Sequence, residues 1–236
     1  MKKTIIVMPV ANEEDSIANV INEIRSLYKG VYLYIIMDSY SKDKTEEIAR
    51  SFEDEFVKVI FYKESKGVVS CYLEGFRQAL ADGAEQIIEM DGGGSHNPKE
   101  IKLFLEKLDE GYDCVFGSRF MKGGAEIDVK LFRRIVSKWG TWLANIVLGT
   151  KLTDMTSGFE GFKSEVLSSF NFENFLSRAH MYQTEMRFYC RKTKHIEVPI
   201  HYVGGRSTFK KKILFRAFSI LFKLKENEKK VKRKDF

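Results

Sequence analysis

The sequence predicts an α/β protein with a mainly parallel sheet flanked by helices. Short apolar runs rich in β-branched residues alternate with segments whose apolar residues recur at helical spacing. The runs are continuously apolar, which is typical of strands that helices cover on both faces. The length of 236 residues, with 44% hydrophobic and 31% charged residues, suits a soluble globular protein with a sizeable core.

Five apolar runs in the first half of the chain are predicted to be strands. They are residues 4–10, 31–37, 57–62, 85–90 and 112–118. Apolar residues at helical spacing, or capping residues at a helix start, predict helices between them. These helices are residues 13–28, 41–52, 67–82 and 98–109. Because strand–helix–strand connections are almost always right-handed crossovers, we expect the strands to lie parallel.

The pattern changes after residue 120. Residues 129–149 form a long amphipathic pattern that predicts a helix, and 152–162 are rich in turn residues. A helix is predicted over 179–193 and a strand over 195–203. No proline- or serine-rich linker separates the two halves, so we expect one domain over residues 1–208.

Residues 209–236 form a basic tail. They hold eleven of the 39 basic and three of the 33 acidic residues, which gives the tail a net charge of +8 and the rest of the chain −2. Polar residues at 212, 216, 219 and 223 alternate with Leu and Phe, as in an amphipathic helix. Its apolar run is shorter than the ~20 residues of a membrane span. We expect it to lie on an anionic membrane surface, the alternative being a helix docked on the body.

Charge and cysteine usage narrow the location and the partners. The near-neutral body makes nucleic acid an unlikely partner for the folded domain. The three cysteines are scattered and form no C-x-x-C pair, so they predict neither disulfides nor a zinc site. The short apolar run at the start ends in acidic sequence, which fits a first strand better than a signal peptide. We expect a cytoplasmic protein, peripheral on the cytoplasmic face of a membrane.

Motifs of several common α/β enzymes are missing from the sequence. The first strand runs into PVANEE without G-x-G-x-x-G, which argues against a dinucleotide-binding domain. The P-loop pattern, the G-x-S-x-G nucleophile turn and the H-E-x-x-H zinc motif do not occur either.

Polar side chains instead follow several predicted strands. Asn12 and Glu13 follow the first strand, Asp38 the second, Asp91 the fourth and Arg119 the fifth. The carboxyl ends of parallel strands meet at one edge of a sheet, where α/β folds bind ligands. Each residue alone is weak evidence, because a terminal Asp often only caps a helix or forms a turn. Together they suit a nucleotide with metal-bound phosphates.

The order of motifs resembles the family 2 glycosyltransferases of the GT-A fold, and among them the dolichyl- or polyprenyl-phosphate sugar synthases. The resemblance covers residues 4–208 and rests on an ordered series of segments. They are PVANEE, MDSYSKDKT, KGVVSCYLEG, MDGGGSHNP, VFGSRFMKGG, LTDMTSGFEGF and EVPIHYVGGRS. It implies an inverting, metal-dependent transfer of a sugar from a GDP- or UDP-linked donor to a polyprenyl or dolichyl phosphate, with Mg²⁺ or Mn²⁺ as the cofactor.

The resemblance also implies a donor site. Asp91 matches the first acid of the D-x-D metal motif, but Gly93 stands in place of the second acid. Asp38 likewise matches the first of two acids, with Ser39 at the second, and Ala11 replaces a usual aromatic. The expected nucleotide-sugar residues are Pro9, Asn12, Glu13, Asp38, Lys66, Asp91, Gly92 and Gly93. The three glycines at 92–94 would let the backbone approach a diphosphate.

Basic residues form the expected acceptor site. Arg119, in GSRF, resembles an acceptor-phosphate contact and is expected to be catalytic together with Asp91. The complete set is Arg119, Lys122, Arg133, Arg134, Arg206 and Ser207. Asp154, Ser157 and Gly158 match the family's D-x-x-S-G-F segment.

The metal site is predicted to be minimal. One carboxylate can hold a divalent cation whose other ligands are phosphate and water, so Asp91 could suffice. His96 is the second predicted ligand, with a turn residue at a helix start as its alternative. A metal site that has been lost altogether is a further alternative.

Two other functions stay open. A sugar hydroxyl acceptor would need a general base, for which Glu160 and Glu185 are the available candidates. A lipid phosphate is already anionic and needs no base, which favours the polyprenyl-phosphate prediction. A non-catalytic sugar-nucleotide-binding protein on a membrane is the third possibility, favoured slightly by Ser39 and Gly93.

Overall fold

Strands and helices alternate along the chain in the computed structural model. It describes residues 2–177, 181–204 and 212–231, and in the last range the side chains of 219–228, 230 and 231. The strands are β1 Thr4–Val10, β2 Tyr32–Asp38, β3 Val57–Tyr62, β4 Gln86–Glu89, β5 Cys114–Ser118, β6 Ala125–Ile127, β7 Glu160–Lys163, β8 His195–Pro199 and β9 His201–Val203. The helices are α1 Ile17–Leu27, α2 Thr45–Arg50, α3 Val68–Ala81, α4 Ile101–Asp109, α5 Leu131–Leu148, α6 Ser164–Ser168, α7 Tyr182–Cys190 and α8 Lys212–Val231.

A seven-stranded sheet in the order β3-β2-β1-β4-β7-β5-β8 forms the centre of the fold. Its strands run parallel except β7, which pairs antiparallel with β4 and β5. β6 and β9 form a separate parallel pair. The predicted α/β class with a mainly parallel sheet flanked by helices is confirmed, and so are the first five strands.

Two parts of the second half differ from the prediction. The turn-rich segment contains β7, whose Glu160 is buried beside Arg187 of α7, with Nε and Oε1 2.6 Å apart. The predicted strand over 195–203 is divided at Ile200, so that β8 joins the large sheet and β9 joins the small one. The predicted helix over 179–193 corresponds to α7, and residues 178–180 lie outside the described residues.

Alternate residues of β1 feed two hydrophobic layers, because successive side chains of a strand point to opposite faces. Ile5 and Val7 pack in the layer that contains Phe76 of α3 and Phe188 of α7. Ile6 and Met8 pack in the layer that contains α1 and α4. Both faces of the sheet are therefore covered, as the continuous apolar runs predicted.

The described part of the tail packs on the body. Leu221 and Leu224 of α8 are buried in the layer that holds α3 and α7, and Arg191 pairs with Glu228 at 2.7 Å. The backbone N–H of Asn171 donates to the carbonyl of Val231 at 2.7 Å. These contacts match the docked-helix alternative and leave Leu221 and Leu224 unavailable to a membrane. Within the described residues, no helix is both long enough and apolar enough to cross a bilayer.

Docking of α8 predicts unequal costs for two substitutions on the same helix. Leu224→Ala removes a fully buried side chain and should lower the free energy of unfolding by about 2–4 kcal/mol. Phe222→Ala removes a side chain that is 63% exposed and should change it by less than about 0.5 kcal/mol. Urea unfolding measures both values. Equal small effects would mean that α8 does not pack on the body.

Candidate active site

The carboxyl ends of β1, β2 and β4 lie side by side and form a cleft of about 230 Å³. The residues that line it are Pro9, Val10, Ala11, Glu13, Asp38, Val68, Asp91, Gly92, Gly93 and Ser95. Six of the predicted nucleotide-sugar residues are therefore together, and Asn12 and Lys66 are absent from the lining. Three of the lining side chains are acidic, and none of those that the structure describes is basic. A larger hollow of about 420 Å³ beside Arg77 and Phe172 holds no comparable group of acids.

Asp38 is fixed at the end of β2. Its Oδ1 accepts hydrogen bonds from the Ser65 hydroxyl at 2.8 Å and from the backbone N–H of Tyr40 at 3.1 Å. The side chain is almost completely buried. Ser65 precedes Lys66, whose own backbone N–H donates to the Ser70 hydroxyl at 2.7 Å. Asp38 thus links β2 to the loop before α3 and leaves little of its carboxylate exposed.

Asn12 braces the loops around the cleft. Its side-chain oxygen accepts from the backbone N–H of Lys42 at 3.0 Å, and its own N–H donates to the Ser41 hydroxyl at 3.1 Å. The residue adopts a left-handed backbone conformation with φ of 57°. These bonds tie the turn after β1 to the loop after β2. Asn12 therefore positions the loops that carry other site residues.

The Asp91 carboxylate is accessible from the cleft, with 39% of its side chain exposed. The Tyr72 hydroxyl donates to Asp91 Oδ1 at 2.8 Å, and Tyr72 stacks on Tyr182 with centroids 5.9 Å apart. Burial raises the pKa of Tyr72 well above its usual value, and the Asp91 charge adds to the effect, so the hydroxyl stays protonated. Sequence reasoning missed Tyr72, because nothing in the helix pattern shows that it points at Asp91.

His96 is a buried residue that bonds to the backbone of Asp91. The backbone N–H of Asp91 donates to His96 Nδ1 at 3.2 Å, and the ring stacks on Phe159 at 4.8 Å. The side chain is 2% exposed, and burial lowers the pKa of His96, so the ring is neutral near pH 7. Because Nδ1 accepts, the hydrogen of the neutral ring resides on Nε2, 3.9 Å from Asp91 Oδ2. A protonated ring nitrogen has no lone pair for a cation, so the geometry argues against His96 as a metal ligand.

The residues that are present fit a divalent cation with few protein ligands. Asp91 offers a carboxylate in the cleft, and no group of three or more His, Cys, Asp or Glu side chains converges anywhere in the described residues. A cation at Asp91 would therefore complete its shell with phosphate oxygens and water, as Mg²⁺ commonly does. Position 92 has no room for a side chain, because a Cβ there would lie 2.2 Å from Val10 Cγ1. The backbone of Gly92 therefore lines the cleft directly.

Arg119 is engaged inside the protein rather than in an open site. Its Nε and Nη2 donate to the two oxygens of Asp154 at 2.7 and 2.9 Å, and Nη1 lies 3.3 Å from Glu126. The residue is 6% exposed. A guanidinium held by two carboxylates is poorly placed to bind a phosphate as well. This geometry argues against the predicted catalytic phosphate contact and assigns Arg119 to joining the end of β5 to the 154–156 turn.

Two of the other predicted acceptor residues, Arg133 and Arg134, have partners in the same part of the fold. Arg133 Nη2 is 3.4 Å from the Tyr202 hydroxyl, and Arg134 Nε is 3.4 Å from Glu126. Lys122 is exposed in the loop after β5. The structure therefore brings Arg133 and Arg134 near Arg119 through shared partners. Arg206 and Ser207 lie outside the described residues.

The two candidate bases for a hydroxyl acceptor are both buried and engaged. Glu160 pairs with Arg187, which also donates to the carbonyls of Gly117 and Ser157. Glu185 accepts from the backbone N–H groups of 176 and 177 and from the Tyr189 hydroxyl, at 2.7–2.9 Å. Neither glutamate lines the cleft. Neither is placed to take a proton from a substrate there.

Helix α5 exposes large apolar side chains and buries small ones. Six large apolar residues of the helix are exposed, and all of them except Phe132 recur at spacings of four, four, three and four, each between 45% and 71% exposed. These five are Leu131, Ile135, Trp139, Trp142 and Ile146, and we call them the α5 stripe. The buried residues of the helix are Thr141, Ala144 and Leu148. The amphipathic pattern was predicted correctly, but it does not indicate which face meets the body.

Comparison with known proteins identifies the family. The model of glycosyl transferase family 2 matches residues 5–170, which include the three strand ends of the cleft. The chain belongs to this family. The sequence resemblance is thereby confirmed.

Curated relatives are 26–29% identical to this family member over the aligned residues. It is 29% identical over 205 residues to the undecaprenyl-phosphate mannosyltransferase of Micrococcus luteus, covering 85% of this chain and 84% of that one. It is 27% identical to the polyprenol monophosphomannose synthase of Mycolicibacterium smegmatis, covering 84% and 77%. It is 26% identical to the dolichol-phosphate mannosyltransferase of Pyrococcus furiosus, covering 98% and 66%.

Solved structures agree on the fold. Glucosyl-3-phosphoglycerate synthase from Mycobacterium tuberculosis, crystallised with UDP, superposes with a TM-score of 0.69 at 17% identity, covering 97% of this chain and 80% of that one. The same enzyme with Mn²⁺, UDP and glucosyl-3-phosphoglycerate gives 0.68 at 16% identity, covering 99% and 82%. At this identity the likeness confirms the predicted GT-A architecture alone.

The Arg119–Asp154 pair predicts a pH-dependent stability. Burial opposes ionisation of Asp154, but Arg119 outweighs it and lowers the pKa of Asp154 to about 2. A carboxyl whose pKa is lower in the folded state stabilises the fold above its unfolded pKa of about 4, and this contribution disappears as the pH falls toward 2. Asp154→Asn should therefore lower the free energy of unfolding by about 3–5 kcal/mol at pH 7 and by progressively less below pH 4.

Urea unfolding at pH 7, 5 and 3 measures this difference. Asp109→Asn is the matched control, because Asp109 pairs with Lys2 on the surface and is expected to matter by less than about 1 kcal/mol. A difference between Asp154→Asn and the wild type that does not change with pH would contradict the assignment.

Proposed function

We propose that the protein transfers a mannosyl group from a GDP- or UDP-linked donor to a polyprenyl phosphate, with inversion at the anomeric carbon. The observation that carries the proposal is the acidic cleft at the carboxyl edge of the sheet, in which Asp91 lies accessible beside Glu13 and Asp38. The names of the curated relatives favour mannose and a polyprenyl phosphate. The motif order favours the inverting reaction.

An acidic cleft binds a nucleoside diphosphate through a cation. Diphosphate and carboxylates repel each other unless a positive charge lies between them. A divalent cation beside Asp91 would neutralise the donor's phosphates and stabilise the departing nucleoside diphosphate. The chain's own contribution is to fix Asp91 through Tyr72 and through the bond of its backbone to His96. The structural neighbour that was crystallised with Mn²⁺ and UDP supports the choice of metal.

The acceptor is proposed to be a phosphate rather than a sugar hydroxyl. An oxygen of the lipid phosphate forms the new bond to the anomeric carbon while the bond from that carbon to the nucleoside diphosphate breaks. The attacking oxygen is anionic, so no base has to remove a proton. This suits a site in which Glu160 and Glu185 are both engaged elsewhere. Lys122, Arg133 and Arg134 are the proposed cations for the acceptor phosphate.

The α5 stripe is the proposed contact with the membrane. Trp and long aliphatic side chains on one face of a surface helix are typical of helices that lie in the lipid interface. Arg133 and Arg134 belong to the first turn of the same helix. A polyprenyl chain can thus stay in the bilayer while its phosphate reaches these arginines. The positive charge of 209–236 would add attraction to anionic lipid on the cytoplasmic face.

Loss of the Asp91 charge is expected to abolish transfer. Asp91→Asn should lower the rate at least about 100-fold, because the cation and the diphosphate lose their anchor. The assay measures label passing from GDP-mannose or UDP-linked sugar into solvent-extractable lipid, with Mn²⁺ and polyprenyl phosphate present. Asp109→Asn, a surface carboxylate outside the cleft, is the control and should keep the wild-type rate. A fully active Asp91→Asn enzyme would contradict the proposal, and an inactive wild type with bound nucleotide would favour the non-catalytic alternative.

The membrane contact predicts a specific loss of lipid binding. Trp139→Ser with Trp142→Ser removes the centre of the α5 stripe and should strongly reduce sedimentation with vesicles that contain anionic lipid. Phe222→Ser removes an exposed aromatic side chain from α8 and is the matched control. We expect the control to bind vesicles like the wild type. The reverse result would place the membrane contact on the tail.

A further inference from the structure

We propose that Glu13 supplies the second carboxylate of the cation site, in place of the acid that position 93 lacks. The inference rests on the proposed function, because it concerns the cation that would hold the donor's diphosphate. In the D-x-D pattern both carboxylates come from the loop after β4. Here the second would come from the segment that follows β1.

The strongest observation is the space around Gly93. A Cβ at this position would lie 2.6 Å from Glu13 Oε1 and 3.0 Å from Oε2. A side chain at position 93 would therefore have to displace the end of the Glu13 side chain. The Glu13 carboxylate therefore occupies the space that a side chain at position 93 would enter.

Backbone conformation gives no other reason for a glycine at position 93. Gly94 has a φ of 76°, in the left-handed region that favours glycine, whereas Gly93 is absent from the described residues with positive φ. Gly92 is explained by its approach to Val10. The contact with Glu13 is what remains to explain Gly93.

The backbone of Glu13 is held by neighbouring elements. Its backbone N–H donates to the Thr45 hydroxyl at 2.8 Å, and its carbonyl accepts from Ser16 and Ile17 at the start of α1, at 3.0 and 2.9 Å. The Ser16 hydroxyl lies 3.3 Å from Oε2. A residue whose backbone is fixed in this way presents its side chain to the cleft from a defined position.

Glu13 and Asp91 face the same cleft from neighbouring strands. Both line it together with Gly93, and β1 pairs directly with β4. Asp38 is the third acid of the cleft, but it is buried and bonded to Ser65. Two protein carboxylates completed by phosphate and water are a common ligand set for Mg²⁺. The loss of an acid at position 93 thus leaves the number of carboxylates unchanged.

Binding of Mn²⁺, followed by the electron paramagnetic resonance of the free ion, tests the assignment. The ion is titrated into the full chain alone and then with UDP or GDP. Glu13→Gln should weaken Mn²⁺ binding about tenfold or more. Glu14→Gln carries the same change in charge one residue away, outside the cleft, and should bind Mn²⁺ like the wild type.

Moving the carboxylate from position 13 to position 93 distinguishes a metal ligand from a residue that only stabilises the fold. Glu13→Ala opens the space beside Gly93, and the added Gly93→Asp returns a carboxylate to it. The double variant should recover most of the lost Mn²⁺ affinity. Gly93→Asp alone should not tighten binding, because the new side chain has to displace the Glu13 carboxylate from the same space. A folded double variant that binds no better than Glu13→Ala would overturn the proposal, and it decides the question should Glu13→Gln fail to fold.

Asp91→Asn separates this inference from the proposed function. If Asp91→Asn loses Mn²⁺ and Glu13→Gln keeps it, Glu13 is not a ligand, while the metal-dependent function stands. If a folded Asp91→Asn also binds Mn²⁺ like the wild type, the metal site itself is misplaced and both proposals fail.

Discussion

The concentration of negative charge at one edge of the sheet is the constraint on which the rest of the site depends. Parallel pairing of β1 with β2 and β4 brings Glu13, Asp38 and Asp91 to one cleft. Carboxylates that share a site repel each other, and burial increases the cost. Hydrogen bonds to Asp38 and Asp91 compensate part of this cost in the protein alone. A divalent cation with an anionic ligand would compensate the remainder, so the electrostatics of the cleft and its proposed chemistry agree.

A second group of charges stabilises the fold behind the site without taking part in it. Arg187 is completely buried and pairs with Glu160, and it also donates to the carbonyl of Asp154. Asp154 in turn holds Arg119. Burying unpaired charges would cost several kcal/mol each, so these four residues depend on one another. They join α7, β7 and the end of β5, and so position the loop that leads to Arg133 and Arg134.

Much of the fold, and the convergence of the acids at one edge of the sheet, could be predicted from the sequence. Continuous apolar runs define strands that are covered on both faces, and the polar residue after each run must then reach the common edge. Asp38 and Asp91 were found in this way. Strand β7 was missed because it is four residues long and contains Glu160, and its partner Arg187 is distant in the sequence.

The roles expected of His96 and Arg119 depend on hydrogen-bond partners that the sequence does not show. His96 and Arg119 have the right chemistry for a cation and a phosphate, but the structure gives their polar atoms to the backbone of Asp91 and to Asp154. An amphipathic pattern cannot indicate which face is covered, so the outward α5 stripe was not predicted, and docking of α8 on the body was only the alternative to a membrane contact. These features depend on contacts between residues far apart in the chain, which no local pattern records.

Calorimetric titration with GDP and with UDP, first with Mn²⁺ and then with EDTA, tests the central claim most directly. The claim is that the acidic cleft binds a nucleoside diphosphate only through a cation at Asp91. We expect one of the two nucleotides to bind with Mn²⁺ and its binding to collapse when EDTA removes the metal. Binding that is equally tight in EDTA, or no binding of either nucleotide, would contradict the account.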